Sequence, residues 1–275
     1  MPSSAGEPAL LIYVCIPVHD EARTVGVLLW KVRKVLAELQ RDYEILVLDD
    51  ASTDDTPATL GRYRKVLPLM VLRAEKRIGY ARATERLLRA AVARASYPKR
   101  DIVVTLQGDF TDDPAHLATL IKTVEGGADV VAGCVPRRKA ELRAARAGSG
   151  GVTSPSPRAL PRPVWWARAL APWALGALHR RAPVSDPLSG FRAYRVIVLK
   201  KVLREEVGPL LTTDGWAANV ELLGLVAPHA RRIEETPLAP RYDLQVRPTR
   251  ARALRLLCEL FRMRGRGWFA PSGTA

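Results

Sequence analysis

Short apolar runs alternate with helical stretches along the first half of this 275-residue chain, and that alternation restricts the fold more than any other feature. Leu10 to Ile16 is a continuous apolar run, the pattern of a strand covered on both faces. Glu44 to Leu48, Leu69 to Leu72, Ile102 to Leu106 and Asp129 to Ala132 repeat it. Between the first two, Leu28, Leu29, Val32, Val35, Leu36 and Leu39 fall at helical spacing from Thr24 onward. Helical segments are expected near 55–66, 79–95 and 113–124. A run of βα units packs as a mostly parallel sheet flanked by helices, so the expected class is α/β.

Parallel strands all point the same way, so the loops after them meet at one edge, where ligands bind in such sheets. Those loops are Pro17-Val-His-Asp-Glu21, Asp49-Asp-Ala-Ser-Thr-Asp54 and Gln107-Gly-Asp-Phe-Thr-Asp-Asp113, all polar or acidic. The first turn has no GxGxxG and the chain has no P-loop, which argues against dinucleotide oxidoreductases and phosphate-cradling NTPases. A carboxylate-rich ligand edge instead suggests an anionic ligand bridged by a metal ion.

The net charge of +15 is unevenly placed. Residues 1–136 carry 18 basic and 18 acidic side chains, whereas 137–195 carry 12 against 2 and 241–275 carry 8 against 2. Anions drawn by bulk charge should therefore meet those two segments. Cys15, Cys134 and Cys258 lack metal-ligand or disulfide spacing, and a reducing cytosol is the expected setting. The N-terminal region lacks the basic start of a signal peptide, and no run approaches the roughly 18 apolar residues of a spanning helix. Residues 147–163 read as a Gly, Ser and Pro-rich loop. Trp165, Trp166 and Trp173 among arginines suit either a lid on the sheet or a membrane interface. A helix is expected at 214–226, a strand near Ile233 and a basic amphipathic helix near 249–263, with Leu254, Leu257, Cys258 and Phe261 on one stripe. No aromatic-interleaved nucleic-acid motif occurs, and a nucleic-acid partner is not expected.

Ile16-Pro-Val-His-Asp-Glu21, Val47-Leu-Asp-Asp-Ala-Ser-Thr-Asp54, Leu106-Gln-Gly-Asp109, Asp186-Pro-Leu-Ser-Gly-Phe-Arg192 and Asp214-Gly-Trp-Ala-Ala-Asn-Val-Glu221 together resemble family 2 glycosyltransferases of the GT-A fold. The likeness is strongest to polyprenyl-phosphate, dolichol-phosphate mannosyltransferase-like enzymes, and it covers about residues 9–250. It implies a catalytic domain over 9–240 with a basic insertion at 137–182, followed by a basic amphipathic segment at 241–275. It further implies a nucleotide-sugar donor, Mg²⁺ or Mn²⁺, and a peripheral enzyme on the cytoplasmic face of an anionic membrane.

Residue by residue, the resemblance places the nucleobase at Asp50, with Pro17, His19, Glu21 and Leu48 around it. The competing reading is that Asp49 or Asp50 caps a turn. Asp109 would hold the metal, because a divalent cation on carboxylate oxygen neutralises a leaving diphosphate. Where relatives have Asp-x-Asp this chain has Gln107-Gly108-Asp109, so Gln107 offers a neutral oxygen or none, and Thr111 and water are further candidates. The alternative for this loop is an Asp before a helix start, with Asp112 or Asp113 as N-cap.

Asp214 falls where relatives place a catalytic carboxylate. It would be the general base for a hydroxyl acceptor, or only an orienting group for a lipid phosphate, which is already ionised near neutral pH. A helix N-cap before Gly215 is the plain alternative. Arginine forks bind phosphate bidentately. The resemblance implies that Arg241 and Arg247, six apart in a Pro-rich loop, meet the donor diphosphate, that Arg137, Arg138 and Arg195 face the acceptor phosphate, and that Arg192 joins the catalytic set; solvated surface arginines are the plain alternative. His116, His179 and His229 show no ligand spacing. The reading is transfer of a hexose to polyprenyl phosphate by one inverting displacement. Transfer to a hydroxyl of a glycan or small molecule, and a non-catalytic basic scaffold on membrane or nucleic acid, stand as alternatives.

Overall fold

A computed structural model describes residues 10–135, 171, 184–205, 208–238 and 253–265. The expected alternation is present: β1 (Leu11–Val18), α1 (Val25–Leu39), β2 (Asp42–Asp49), α2 (Thr56–Tyr63), β3 (Leu69–Arg73), α3 (Tyr80–Arg94) and β4 (Ile102–Thr105) follow in order. A 3-10 turn (Pro114–His116) leads into α4 (Leu117–Glu125), and β5 (Val130–Cys134) comes next. After the basic segment come β6 (Arg192–Arg195), α5 (Val196–Glu205), α6 (Ala217–Val226), β7 (Ile233–Pro237) and α7 (Ala253–Gly265).

The sheet has seven strands in the order β3-β2-β1-β4-β6-β5-β7. Every pairing is parallel except those of β6, which lies antiparallel between β4 and β5. Both β6 and α5 are additions to the sequence reading. The four-residue run Arg-Ala-Tyr-Arg is too short to show a period, and its partners are remote in the chain.

Alternation of side chains puts two cores on the two faces of the sheet. Ile12, Val14 and Ile16 of β1, Ile45 and Val47 of β2, and Ile102 and Val104 of β4 pack with Leu28, Leu29, Val32 and Leu36 of α1 and with α4. Tyr13, Cys15, Leu46, Leu48 and Val103 point to the other face, under Leu87 and Leu88 of α3, Leu199 of α5 and Leu222 of α6. A third, smaller cluster joins Leu256, Leu260 and Met263 of α7 to Ala217 and Val220 of α6 and to Leu188. Of the stripe expected on α7, Cys258 and Phe261 are exposed, and Leu256, Leu260 and Met263 are the residues that pack.

Candidate active site

The loops after β1 and β2 are stitched together at the carboxyl edge. Asp50 N–H donates to the Val18 carbonyl at 2.9 Å, extending the β1–β2 ladder past Asp49. Ser52 Oγ accepts from Asp20 N–H, and Asp20 Oδ1 accepts from Thr53 N–H at 2.8 Å. Thr56 Oγ1 accepts from Glu21 N–H, while Asp54 accepts from Ala22 N–H and from the Thr56 amide and hydroxyl. Burial pushes the Asp54 carboxyl up, but the Thr56 and Ala22 donors outweigh it and hold the group below its ordinary range. His19 Nδ1 sits 2.8 Å from the Asp50 carbonyl oxygen, which fixes the ring beside that residue.

Asp50 is buried, and its carboxylate is committed in part to the protein. Oδ1 accepts from Ile78 N–H at 2.6 Å and Oδ2 from Gly79 N–H at 3.0 Å. This fixes the turn that starts α3, where Gly79 adopts a φ of 85°, a conformation that glycine tolerates best. Asp49, also buried, accepts from Ser52 N–H and lies 3.6 Å from Arg73 Nε. The turn-capping reading thus describes part of what both carboxylates do. Leu48, expected near the nucleobase, is wholly buried in the core under α3, because its side chain points to the face and not to the edge.

The Gln107–Asp113 loop closes against β1. A Cβ on Gly108 would come within 2.7 Å of Val18 Cγ1 and 3.1 Å of the Pro17 carbonyl oxygen, so only glycine fits here. Thr24 Oγ1 lies within hydrogen-bond distance of the Gly108 carbonyl, at 3.2 Å, and of Glu21 Oε2, at 2.8 Å, tying the loop to the head of α1. Within the loop Asp109 Oδ1 accepts from Thr111 N–H, Asp112 Oδ2 from Gln107 N–H and Asp113 Oδ1 from Ala115 N–H. Asp113 is the N-cap of the 3-10 turn, as the alternative reading of this loop foresaw. Thr111 is buried behind Asp109, and His116 is buried too, where burial pushes its imidazole below the ordinary value against the opposing pull of Asp113.

Asp214 reaches the same edge from the far end of the chain. Its Oδ1 lies 3.6 Å from where a Cβ on Gly79 would stand, and the residue is exposed. The segment before it is bolted down. Glu221 of α6, wholly buried, accepts from the amides and hydroxyls of both Thr212 and Thr213. Glu85 of α3 accepts from Leu211 N–H. Burial pushes its carboxyl up, but the Leu210 and Leu211 amides and Arg89 hold it below the ordinary range.

The Asp186–Arg192 turn is clamped from below. Tyr80 donates to Asn219 Oδ1 at 2.9 Å, Asn219 Nδ2 donates to the Leu188 carbonyl, and Thr105 Oγ1 donates to the Gly190 carbonyl at 2.6 Å. Arg192 belongs to this clamp. It is wholly buried, and its guanidinium donates to the backbone carbonyls of Pro187 and Asn219. Its geometry is that of a residue holding the turn, in contrast to the catalytic contact expected of it.

Arg195 lies at the opposite edge. In the antiparallel ladder Thr105 pairs with Arg192 but Ile102 with Arg195, so three residues carry it about 10 Å down the sheet. There it pairs with Asp129 and donates to the Lys99, Val124 and Ala128 carbonyls. Its place is inconsistent with the acceptor-phosphate role. Arg137, Arg138, Arg241, Arg247 and the tryptophans at 165, 166 and 173 lie outside the described residues. Tyr80, Asn219 and Glu221 were not assigned from sequence, although the last two stand inside the Asp214–Glu221 motif.

A model of the family described as "Glycosyl transferase family 2" matches residues 13–203, most of the span that builds this edge. The chain belongs to glycosyl transferase family 2. Among curated proteins, this glycosyl transferase family 2 chain is 29% identical over 124 residues to undecaprenyl-phosphate 4-deoxy-4-formamido-L-arabinose transferase of Klebsiella pneumoniae, covering 45% of the chain and 36% of the relative. The Serratia proteamaculans protein of the same name is 28% identical over 125 residues, covering 46% and 37%. The matched region thus spans little more than a third of the length of these relatives.

Among solved structures, glucosyl-3-phosphoglycerate synthase of Mycobacterium tuberculosis, in complex with Mn²⁺, UDP and phosphoglyceric acid, superposes with a TM-score of 0.56 at 21% identity. The superposition covers 94% of this chain and 76% of that one. S. aureus TarS (1–349) gives 0.52 at 16% identity, covering 96% and 76%. The family member has the GT-A fold that the motifs led us to expect.

Proposed function

We propose that this family 2 glycosyltransferase moves a hexose from a UDP- or GDP-sugar to polyprenyl phosphate at the cytoplasmic face of an anionic membrane. One observation carries the reading: Asp50, Asp109 and Asp214, far apart in sequence, stand on loops of one sheet edge, and each loop is held by several hydrogen bonds. The names of the curated relatives support the lipid acceptor. A neighbour crystallised with Mn²⁺ and UDP supports the donor type and the metal.

The donor set fits a divalent cation of this kind. Among the described residues no group of three or more His, Cys, Asp and Glu side chains could enclose a metal ion. Mg²⁺ and Mn²⁺ at such sites take one or two carboxylates and complete their shell with substrate phosphate and water. Asp109 is that carboxylate. Gln107, two residues before it, would offer a neutral oxygen, and the buried Thr111 orients Asp109 through its amide. A bound cation would supply charge neutralisation for the leaving diphosphate.

The protein's own part is binding and orientation. His19 lies against Asp50, Glu21 and Pro17 are assigned to the same base, and the second lone pairs of the Asp50 carboxylate accept the nucleobase edge. Arg241 and Arg247 are assigned to the diphosphate, and Arg137 and Arg138 to the acceptor phosphate. The acceptor oxygen attacks the anomeric carbon in line, and Asp214 orients sugar or acceptor. The exposure of Asp214 beside Gly79 favours a second reading, in which it is the base for a hydroxyl acceptor. A panel of UDP- and GDP-sugars, with and without polyprenyl phosphate, tests both. Turnover with hydroxyl acceptors alone would overturn the lipid reading. Asp214→Asn should be severe for a hydroxyl acceptor and milder for a phosphate one.

A further inference from the structure

We propose that the outer face of α1 is a docking surface for an anionic lipid bilayer, and this rests on the membrane setting proposed above. Val27, Trp30 and Lys34 follow one another at intervals of three and four residues, so they share a face of α1, and Arg23 stands exposed in the turn just before the helix. Val27 and Trp30 are 53% and 52% exposed, two large apolar side chains one turn apart on a helix whose other face is wholly buried. Lys34 Nζ lies 6.0 Å from the Trp30 ring centroid, leaving the ring open to solvent while a cation stands beside it.

Charge favours lipid over protein as the occupant. Residues 1–136 are balanced overall, yet 23–40 hold Arg23, Lys31, Arg33 and Lys34 against Glu38 alone. Protein interface cores are depleted in lysine, whereas tryptophan flanked by lysine and arginine suits the headgroup boundary of a bilayer. The face also adjoins the candidate site. Lys31 Nζ sits 4.9 Å above the ring of Phe110, which follows Asp109, and α1 packs on the Pro114–His116 turn. A bilayer on this face would bring lipid phosphates beside the loop that carries Asp109.

The full chain is tested with phosphatidylglycerol-containing vesicles against phosphatidylcholine vesicles, without any polyprenyl phosphate. An NBD fluorophore on a Val27→Cys variant, in a Cys134→Ser and Cys258→Ser background, reports insertion. The same label on Tyr97→Cys, an exposed site at the other end of the sheet, is the control. NBD emission should rise and shift to the blue at position 27 only, and only with anionic vesicles. Lys34→Glu should weaken co-sedimentation at least about fivefold, the effect of one basic charge at such a surface, and Trp30→Ala several-fold. Unchanged emission at position 27 in protein that co-sediments would overturn the α1 face and leave membrane binding to the basic segments. Failure to co-sediment, or equal binding to phosphatidylcholine, would also overturn it, while transfer to detergent-dispersed polyprenyl phosphate would show that the acceptor reading stands.

Discussion

Asp50 illustrates how one side chain joins fold to function. Its two oxygens draw the amides of Ile78 and Gly79 toward β2, so the site's turn is built by the same carboxylate that is proposed to meet the base. Asp50→Asn replaces one acceptor by a donor facing an N–H. It should cost about 1–3 kcal/mol of stability and weaken donor binding, measured by denaturant unfolding and donor titration. His116 gives a pH signature. Its folded pKa is depressed by burial, so the unfolded chain binds the extra proton, and stability falls as pH drops below about 6.5 toward the folded value. His116→Phe should flatten the Tm profile between about pH 7 and 5; an unchanged slope would assign that loss to other groups. The Asp50 motif was legible because it follows a strand, whereas nothing in the local sequence says that Leu48 turns inward.

At the level of elements, the active edge depends on close contacts between segments. The Gln107–Asp113 loop approaches β1 so tightly that Gly108→Ala must displace Val18 or the loop itself. Overpacking of this sort costs about 1–3 kcal/mol, and a shifted Asp109 should lower kcat/KM more than Tm, read by steady-state kinetics beside thermal unfolding. The segment before Asp214 depends on Glu221. Glu221→Gln leaves donors of Thr212 and Thr213 short of an acceptor, and should lower stability by about 1–3 kcal/mol while loosening the Asp214 segment. Hydrogen exchange at 210–215 faster than global unfolding allows would show this. Glu221 was visible in sequence only as the last residue of a motif; its role required knowing that α6 folds back under its own approach loop.

Over the whole molecule, two cores on either side of one sheet leave the carboxyl edge as the place where distant loops meet. Donor and divalent cation together should therefore raise Tm, by about 2.7 kcal/mol of added stability at a hundredfold excess over Kd. Asp109→Ala should abolish both turnover and the metal-dependent part of that shift; an undiminished shift would place the cation elsewhere. The uneven charge also belongs to this scale, because the neutral part of the chain builds most of the sheet while much of the excess lies in segments assigned to phosphates and membrane.

Strand hydrophobicity and helical period are local properties, so the sequence alone determined the βα order, the α/β class and which loops share an edge. Five of the strands could be read that way because strands of a helix-covered parallel sheet carry largely continuous apolar runs, even at the partly buried edge strand β3. Tertiary structure decided what local pattern does not encode. Strand direction is one such property: β6 runs against its neighbours, and this sends Arg192 into a buried clamp and Arg195 to the far edge. Long-range pairing is the other, since only packing of α3 against α6 brings Gly79, Tyr80 and Glu85 to the segment that carries Asp214. An apolar run specifies that a segment is buried; which way it runs and what it meets are set by the packing of the whole chain.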